Sequence, residues 1–224
     1  MRFVTSFLLL AFLAACSADS ATMPNSTPAG FRLINGFTSS IEVRVDGTVA
    51  ATGISAATID TISAAVGTHT VTLQATDGNA TTLQVTVGSS LGTLAAIRAG
   101  VALSTVALDD TNSIVPAGAT KVRVLHLAPA AGEITVMRTQ PDYGTPIQWQ
   151  FPFLYTENIS ALGNPFYQST PGMWEIRAWR KPSQDALGWN GTTARISFNL
   201  AGGEKRTVVV LDDPGGGVRL AVLE

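Results

Sequence analysis

From residue 31 onward, apolar and polar residues alternate along short runs of the chain. In Ile41–Val45 (IEVRV) the apolar side chains alternate with Glu42 and Arg44, and Val71 and Leu73 flank Thr72 in the same way. A period of two, in runs rich in Val, Thr and Ile, is typical of β-strands, and breaks such as DG, DGN and GG predict tight turns. Residues 55–66 (SAATIDTISAAV) are compatible with a short helix, although their Thr and Ile content favours a strand. The pattern therefore predicts an all-β protein.

The pattern of runs also repeats. FRLINGFTSSIEVRV (31–45) aligns with VRVLHLAPAAGEITVMR (122–138), VGTHTVTL (66–73) with TPGMWEIRA (170–178), and TTLQVTV (81–87) with TTARISF (192–198). Each copy then ends in two alternating runs, and four weak matches in one order indicate an internal duplication. We therefore predict two tandem immunoglobulin-like β-sandwich domains of about seven strands each, over residues 30–110 and 121–224, joined by a linker at 111–120.

These segments carry a family resemblance. IEVRVDGTVAATGIS, VGTHTVTL, and an Asp-Asp followed by a Pro-Ala-Gly linker and KVRVLHLAPAAGEITV resemble the DUF4397 family of bacterial extracytoplasmic β-domains, which often occur in tandem. The second copy departs from that family: its segment 139–172 is longer and more aromatic, and no VDG turn follows EITV. The resemblance implies location and architecture, and it transfers no reaction, ligand or site residue.

The N-terminus has the form of a signal peptide, predicted over residues 1–15. Arg2 is followed by FVTSFLLLAFL, an apolar stretch of about ten residues, which is shorter than the roughly 20 that a membrane-spanning helix needs. The sequence LAAC, ending at Cys16, resembles the lipobox of bacterial lipoproteins, in which the cysteine is acylated and becomes the new N-terminus. The alternative is a plain secreted protein with a cysteine near its cleavage site. Residues 16–29, rich in Ser, Thr, Ala, Pro and Asn, are predicted to be a flexible tether.

An acylated Cys16 implies the lipid bilayer as a partner and the cell envelope as the location. Stable anchoring takes two or more acyl chains, and the resemblance to lipoproteins implies that Cys16 carries at least two. Ser17 follows the cysteine, whereas Asp in that position is associated with inner-membrane retention in Gram-negative lipoproteins. The resemblance therefore implies the outer membrane, provided that the host is Gram-negative.

Composition argues against nucleic acid as a partner and excludes an intrachain disulfide. Charged residues make up 13% of the chain and the net charge is -2, so no basic stripe is available for binding nucleic acid. Cys16 is the only cysteine, so an intrachain disulfide is impossible.

Candidate catalytic and metal-binding residues are sparse. Gly88-Ser89-Ser90-Leu91-Gly92 matches G-x-S-x-G, and Asp109 and His126 follow in hydrolase order, but no helix can follow the serine as a nucleophile elbow requires. His69 and His126 fall in predicted strands without metal-ligand spacing, so structural roles are favoured over a shared metal site. The pairs Asp109-Asp110 and Asp212-Asp213 follow strands and read as solvated turns rather than Ca²⁺ loops. We expect no catalytic residues, metal or cofactor.

Aromatic residues concentrate in the second copy, which holds all four tryptophans. In IQWQFPFLY the odd positions 147–155 share one strand face, and core packing is the favoured interpretation of that stripe. In WEIRAWRKP, by contrast, inward Trp174 and Ile176 would leave Arg177 and Trp179 pointing outward. Exposed Trp beside Arg is typical of surfaces that bind sugars or protein partners. The predicted binding surface comprises Trp179, Arg177, Trp189 and Tyr143.

Taken together, these features favour a non-catalytic, envelope-anchored lipoprotein that acts as a binding or structural module for an envelope protein or a glycan. The alternative is a cryptic extracytoplasmic hydrolase with an unfamiliar motif.

Overall fold

β-strands dominate the structure, a computed structural model that describes residues 29–108, 114–155, 166–180 and 194–223, with 143–153 and 180 described by their backbone alone. The predicted all-β class is confirmed. Where a short helix was conceivable, the chain forms β4, in keeping with its β-branched residues. The strands of the first half are β1 (Gly30–Asn35), β2 (Ile41–Val45), β3 (Thr48–Ile54), β4 (Thr58–Ser63), β5 (Gly67–Ala75), β6 (Ala80–Val87), β7 (Gly92–Ala99) and β8 (Ala102–Leu108).

The described part of the second half contributes the same number of strands. One 3-10 turn, Pro141–Tyr143, separates the second and third of them. They are β9 (Thr120–Leu127), β10 (Ile134–Gln140), β11 (Gly144–Phe153), β12 (Tyr167–Ser169), β13 (Gly172–Arg180), β14 (Ala194–Leu200), β15 (Lys205–Asp212) and β16 (Val218–Leu223).

The two halves share one topology. The first has sheets in the order β4-β1-β7-β8 and β3-β2-β5-β6, and the second has β12-β9-β15-β16 and β11-β10-β13-β14. In each half the first strand runs parallel to the seventh, and its other neighbour is the fourth. The segments that align in sequence therefore lie on strands of equal position. Eight strands in this order differ in detail from the seven-stranded immunoglobulin arrangement.

Each half has its own sandwich core, built by the two-residue alternation. In β2, Ile41 and Val43 point into the first core while Glu42 and Arg44 point away from it. Ile134 and Val136 occupy the equivalent inward positions of β10 in the second core. Alternate burial of this kind is what lets an antiparallel sheet pack on one face.

The turn between β2 and β3 follows the sequence prediction. Asp46 and Gly47 both have positive φ, 50° and 80°, which is the type I′ geometry that Asp-Gly favours in a two-residue hairpin. Beyond the turn, the register of β2 against β3 shifts twice between Ile41 and Arg44. Such bulges twist a strand and re-aim its side chains.

A third apolar core joins the two sandwiches. It is formed by the outer faces of sheets β4-β1-β7-β8 and β12-β9-β15-β16. Equivalent residues meet there, because Ile34 and Leu125 occupy the same position of the first strand in each half, as Ala95 and Val209 do in the seventh. Its buried members are Ile34, Ala57, Ala95, Ile97, Leu108, Leu125, Leu127, Val209, Leu211 and Leu223.

Polar contacts border this core. Arg219 Nη2 donates to the carbonyl of Ala57 in the other sandwich. The Tyr155 hydroxyl accepts a hydrogen bond from the backbone N–H of Arg98 at 2.6 Å, and burial raises the pKa of that phenol. The Tyr155 ring also stands edge-on to His126, with 5.9 Å between ring centroids. The aromatic-rich segment of the second half thus contributes to the contact between the two sandwiches.

Candidate binding surface

The structure describes three of the five residues singled out as the anchor or the binding surface, and one of those three by its backbone alone. Cys16 and Trp189 lie outside the described residues. Tyr143 ends the 3-10 turn and is described by its backbone alone. Trp179 and Arg177 can be placed fully.

Arg177 and Trp179 lie on the outer face of β13, as predicted, but both side chains are buried. Their exposed fractions are 8% and 4%, so the prediction that they form an exposed contact surface is wrong. Arg177 is paired with the buried carboxylate of Glu175, which also accepts a hydrogen bond from the backbone N–H of Asp142 at 3.2 Å. Alternation separates the two faces of a strand, but it does not reveal that both are buried.

The equivalent face of the first sandwich is open. By strand register, Gln74 stands where β13 has Trp179, and Thr72 stands where β13 has Arg177. We use the term polar face for the outward side chains of β2, β5 and β6. These are Glu42, Arg44, Thr68, Thr70, Thr72, Gln74, Thr82, Gln84 and Thr86, each of them exposed or half-buried.

Hydroxyl and amide groups pair across the strands of the polar face. Thr68 and Thr86 hydroxyls lie 3.3 Å apart, and Thr72 and Thr82 hydroxyls lie 3.0 Å apart. Between these pairs, Gln84 Nε2 donates to Thr70 Oγ1 at 2.9 Å. Cross-strand pairs of this kind stabilise a sheet and hold its side chains in fixed positions.

A groove runs along one end of this face. The ion pair Arg44 Nη2–Glu42 Oε1, at 2.7 Å, stands beside Gln74 on β5. Across the groove the bulged segment of β3 presents Thr52 and Gly53, whose φ of 67° is left-handed. The open volume is about 510 Å³. A carboxylate, a guanidinium, an amide and a hydroxyl here line one concave surface, which can donate and accept hydrogen bonds to a polar ligand.

Comparison with known families identifies this part of the chain. Residues 29–137 match the family described as Domain of unknown function (DUF4397). The chain contains a DUF4397 domain. No curated protein matches the chain. The DUF4397 match includes the whole polar face and all of β9, which supplies Leu125 and Leu127 to the core between the sandwiches, and it ends within β10.

His69 braces the hairpin at the far end of the DUF4397 domain's polar face. Its Nδ1 lies 2.7 Å from Asp46 Oδ2, and its Nε2 lies 2.9 Å from the carbonyl of Ala65. Both ring nitrogens face acceptors, so the doubly protonated ring suits the site. The hydrogen bond to Asp46, followed by the one to Ala65, raises the pKa of His69, and the same contact lowers the pKa of Asp46.

His126, by contrast, contacts one backbone donor and one backbone acceptor. Its Nδ1 accepts a hydrogen bond from the backbone N–H of Ala128 at 3.3 Å, and its Nε2 donates to the carbonyl of Gly132 at 2.6 Å. Asn35 occupies the same position in the first sandwich and likewise accepts from the backbone two residues on. Both residues hold the connection between the first two strands of their sandwich. These contacts match the structural role favoured from sequence for His126.

The other motif residues lie in connections. Gly88–Leu91 link β6 to β7, so the segment after Ser90 is a strand rather than a helix, and Asp109 lies outside the described residues. Asp213 closes the turn before β16 by accepting from Gly215 at 2.7 Å, and Asp212 accepts from Ala130 at 3.1 Å. Within the described ranges no group of three His, Cys, Asp or Glu side chains is arranged to hold a metal ion. In the same ranges no helix has the length and apolar character needed to cross a bilayer.

Two buried arginines were not anticipated from sequence. Arg123 donates from Nε and Nη2 to Thr207 Oγ1 and lies 4.6 Å from the Phe166 ring. Arg138 lies 3.9 Å from the ring of Trp174 and donates to the carbonyl of Thr170; burial lowers its pKa to about 9, so it stays charged at neutral pH. Cation–π contacts of this kind offset part of the desolvation of a buried guanidinium. Arg123 lies on the outer face of its sheet, where alternation gives no sign of burial, whereas Arg138 shares the inward side of β10 with Ile134 and Val136.

Proposed function

We propose that this protein is a non-catalytic envelope lipoprotein, anchored through acylated Cys16, whose first sandwich binds an envelope glycan through the polar face. The observation that carries the proposal is the open groove with the Glu42–Arg44 pair beside Gln74. Its groups match the alternating donors and acceptors of sugar hydroxyls, and hydrogen bonds to charged groups are the stronger kind, about 1.5–3 kcal/mol each. An envelope protein is the other class of partner that the binding test distinguishes.

The packing of the two sandwiches supports a role in presenting a surface. Because the outer faces of two sheets share a buried apolar core, the polar face is held on a larger framework than a single sandwich would provide. Rigid elements position binding groups more precisely than loops do. On this proposal the second sandwich acts as support, and on its equivalent face Arg177 and Trp179 are buried.

The anchor is tested by fractionation. Cys16→Ser should release the protein from the membrane fraction and abolish labelling by a fatty-acid analogue, whereas Ser17→Ala should leave both unchanged. Retained labelling in Cys16→Ser would contradict the anchor. In a Gram-negative host, wild-type protein should fractionate with the outer membrane.

The ligand class is tested with detergent-solubilised protein and cell-wall glycan from its own host, prepared free of protein. Co-sedimentation with the glycan supports the proposal. Binding that appears only with untreated envelopes, and disappears after protease treatment, would instead assign an envelope protein as the partner.

The hydrolase alternative finds no support among the described residues. The serine of the G-x-S-x-G match lies in a connection between strands, and both ring nitrogens of His126 are engaged by backbone groups. A general base needs a ring nitrogen within reach of the proton that it removes.

A further inference from the structure

Strand β6 is an edge of sheet β3-β2-β5-β6 without the usual protection. It pairs with β5 over its full length, from Gly67↔Val87 to Gln74↔Ala80, with no register shift. Its eight residues, ATTLQVTV, include no charged residue and no proline. Natural edge strands are usually blunted by charges, proline or bulges, because their free backbone groups otherwise pair with another strand.

The other edge of the same sheet and the equivalent edge of the second sandwich do carry such features. The register of β3 against β2 is broken by two shifts. Strand β14 has Arg195, 60% exposed at its side chain, at the position that corresponds to Thr82 of β6. Of the three edge strands β3, β6 and β14, β6 is the one that has neither a register shift nor a charged residue.

We propose that β6 pairs antiparallel with β6 of a second copy of this chain, about a two-fold axis at Gln84. This register sets Gln84 opposite its own copy and Thr82 opposite Thr86 of the second copy. No charges meet, so the pairing carries no like-charge penalty. An interface in which one patch meets itself is the ordinary geometry of a two-fold dimer.

Side chains on both faces of β6 suit this register. On the outer face, the Thr72–Thr82 and Thr68–Thr86 hydroxyl pairs would continue across the axis, so that the ladder of each polar face runs into the other. On the inner face, Leu83 would stand opposite Val85 of the second copy. Both side chains are half-buried at the rim of the first core, and pairing would bury them further.

Cysteine cross-linking tests the register in the full-length protein in intact cells. Cβ atoms directly opposite each other in an antiparallel pair lie about 4.5–5.5 Å apart, close enough for a disulfide after slight adjustment. Under mild oxidation Gln84→Cys should give a covalent dimer. Ser197→Cys, at the equivalent exposed position on β14, should give no more covalent dimer than the wild type, whose only cysteine is Cys16. Thr82→Cys and Thr86→Cys should cross-link strongly only when the two are co-expressed.

A charge swap tests the pairing without a covalent bond. Gln84→Lys and Gln84→Glu place like charges opposite each other and should each reduce dimer recovery at least about tenfold, while their co-expression should restore a mixed dimer. Gln84 is exposed, so unchanged melting temperatures would show that both variants fold. Absence of the Gln84→Cys dimer, equal cross-linking by Ser197→Cys, or Lys and Glu variants that dimerise like wild type would each overturn the proposal.

Discussion

Gly36 of the first sandwich lies directly against Leu127 of the second. A Cβ added at Gly36 would stand 2.9 Å from Leu127 Cβ and 3.0 Å from the carbonyl oxygen of Ala96. In the sequence alignment of the two halves these two residues occupy the same position. A residue without a side chain in one copy thus accommodates a large side chain in the other, at the contact between two equivalent sheet faces.

Gly36→Ala should therefore destabilise the protein. Insertion of a methyl group into a close-packed contact typically costs about 1–3 kcal/mol of unfolding free energy, and here one neighbour is backbone that cannot rotate away. Gly92→Ala is the matched control, because a Cβ there meets nothing within 4 Å. Denaturant unfolding of both variants measures the difference, and equal stabilities would contradict the close contact.

The shared apolar core predicts that the two sandwiches unfold together. Leu211→Ala, which opens a cavity between them, should cost about 2–5 kcal/mol and lower a single thermal transition. Val101→Ala, 88% exposed in the turn between β7 and β8, should change stability by less than about 0.5 kcal/mol. Two separate transitions in the wild type, with only one affected by Leu211→Ala, would show that the sandwiches are independent.

His69 should make the stability of the first sandwich depend on pH. Its folded pKa is raised, so its contribution is fully present below the unfolded value of about 6.5 and is lost as pH rises through the folded pKa. Asp46 has a lowered pKa, so its contribution is lost only as pH falls through that lower value. The melting-temperature difference between wild type and His69→Gln should be largest near pH 5 and shrink above neutrality. Asp46→Asn should weaken this pH dependence, because only the contact with the Ala65 carbonyl would then raise the pKa of His69. A difference that grows with rising pH would contradict the assignment.

Trp179 is expected to act in stability rather than in recognition. Trp179→Ala removes a side chain that is 4% exposed and should cost about 3–5 kcal/mol. Met173→Ala, on the same face of β13 but 52% exposed, provides the control and should be close to neutral. A Trp179→Ala variant with wild-type melting temperature would restore the exposed surface predicted from sequence.

Local pattern predicted the strand class and about seven strands in each half, where the structure has eight. The alternation in IEVRV and the Asp46-Gly47 turn depend on neighbours along the chain, so their structure is readable from sequence. The aligned segments also predicted which strands occupy equal positions. What alternation could not supply was the environment of each outer face, which depends on residues distant in the chain. Trp179 and Gln74 occupy equivalent register positions in the two sandwiches, yet Trp179 is buried and Gln74 is exposed.

The same limitation applied to the candidate site. From sequence, Glu42 and Arg44 were recognised only as the polar residues of an alternating strand, and most strands with one solvent-exposed face show the same alternation. Their significance came from the bulge in β3 and from the open groove beside them, neither of which leaves a mark in a single sequence beyond one glycine. Aromatic composition pointed instead to the second copy, because exposed tryptophan is the more familiar sign of a binding surface.

Binding of envelope glycan by the polar face is tested most directly by the double variant Glu42→Ala/Arg44→Ala. Its affinity for protein-free cell-wall glycan of the host, measured by co-sedimentation, should fall at least about tenfold, the equivalent of 1.4 kcal/mol, because two charged hydrogen-bonding groups are removed. Glu204→Ala/Arg206→Ala removes an ion pair of the same spacing from the second sandwich and should leave the affinity unchanged. Equal affinities of the wild type and the Glu42/Arg44 double variant, at unchanged melting temperature, would contradict the claim.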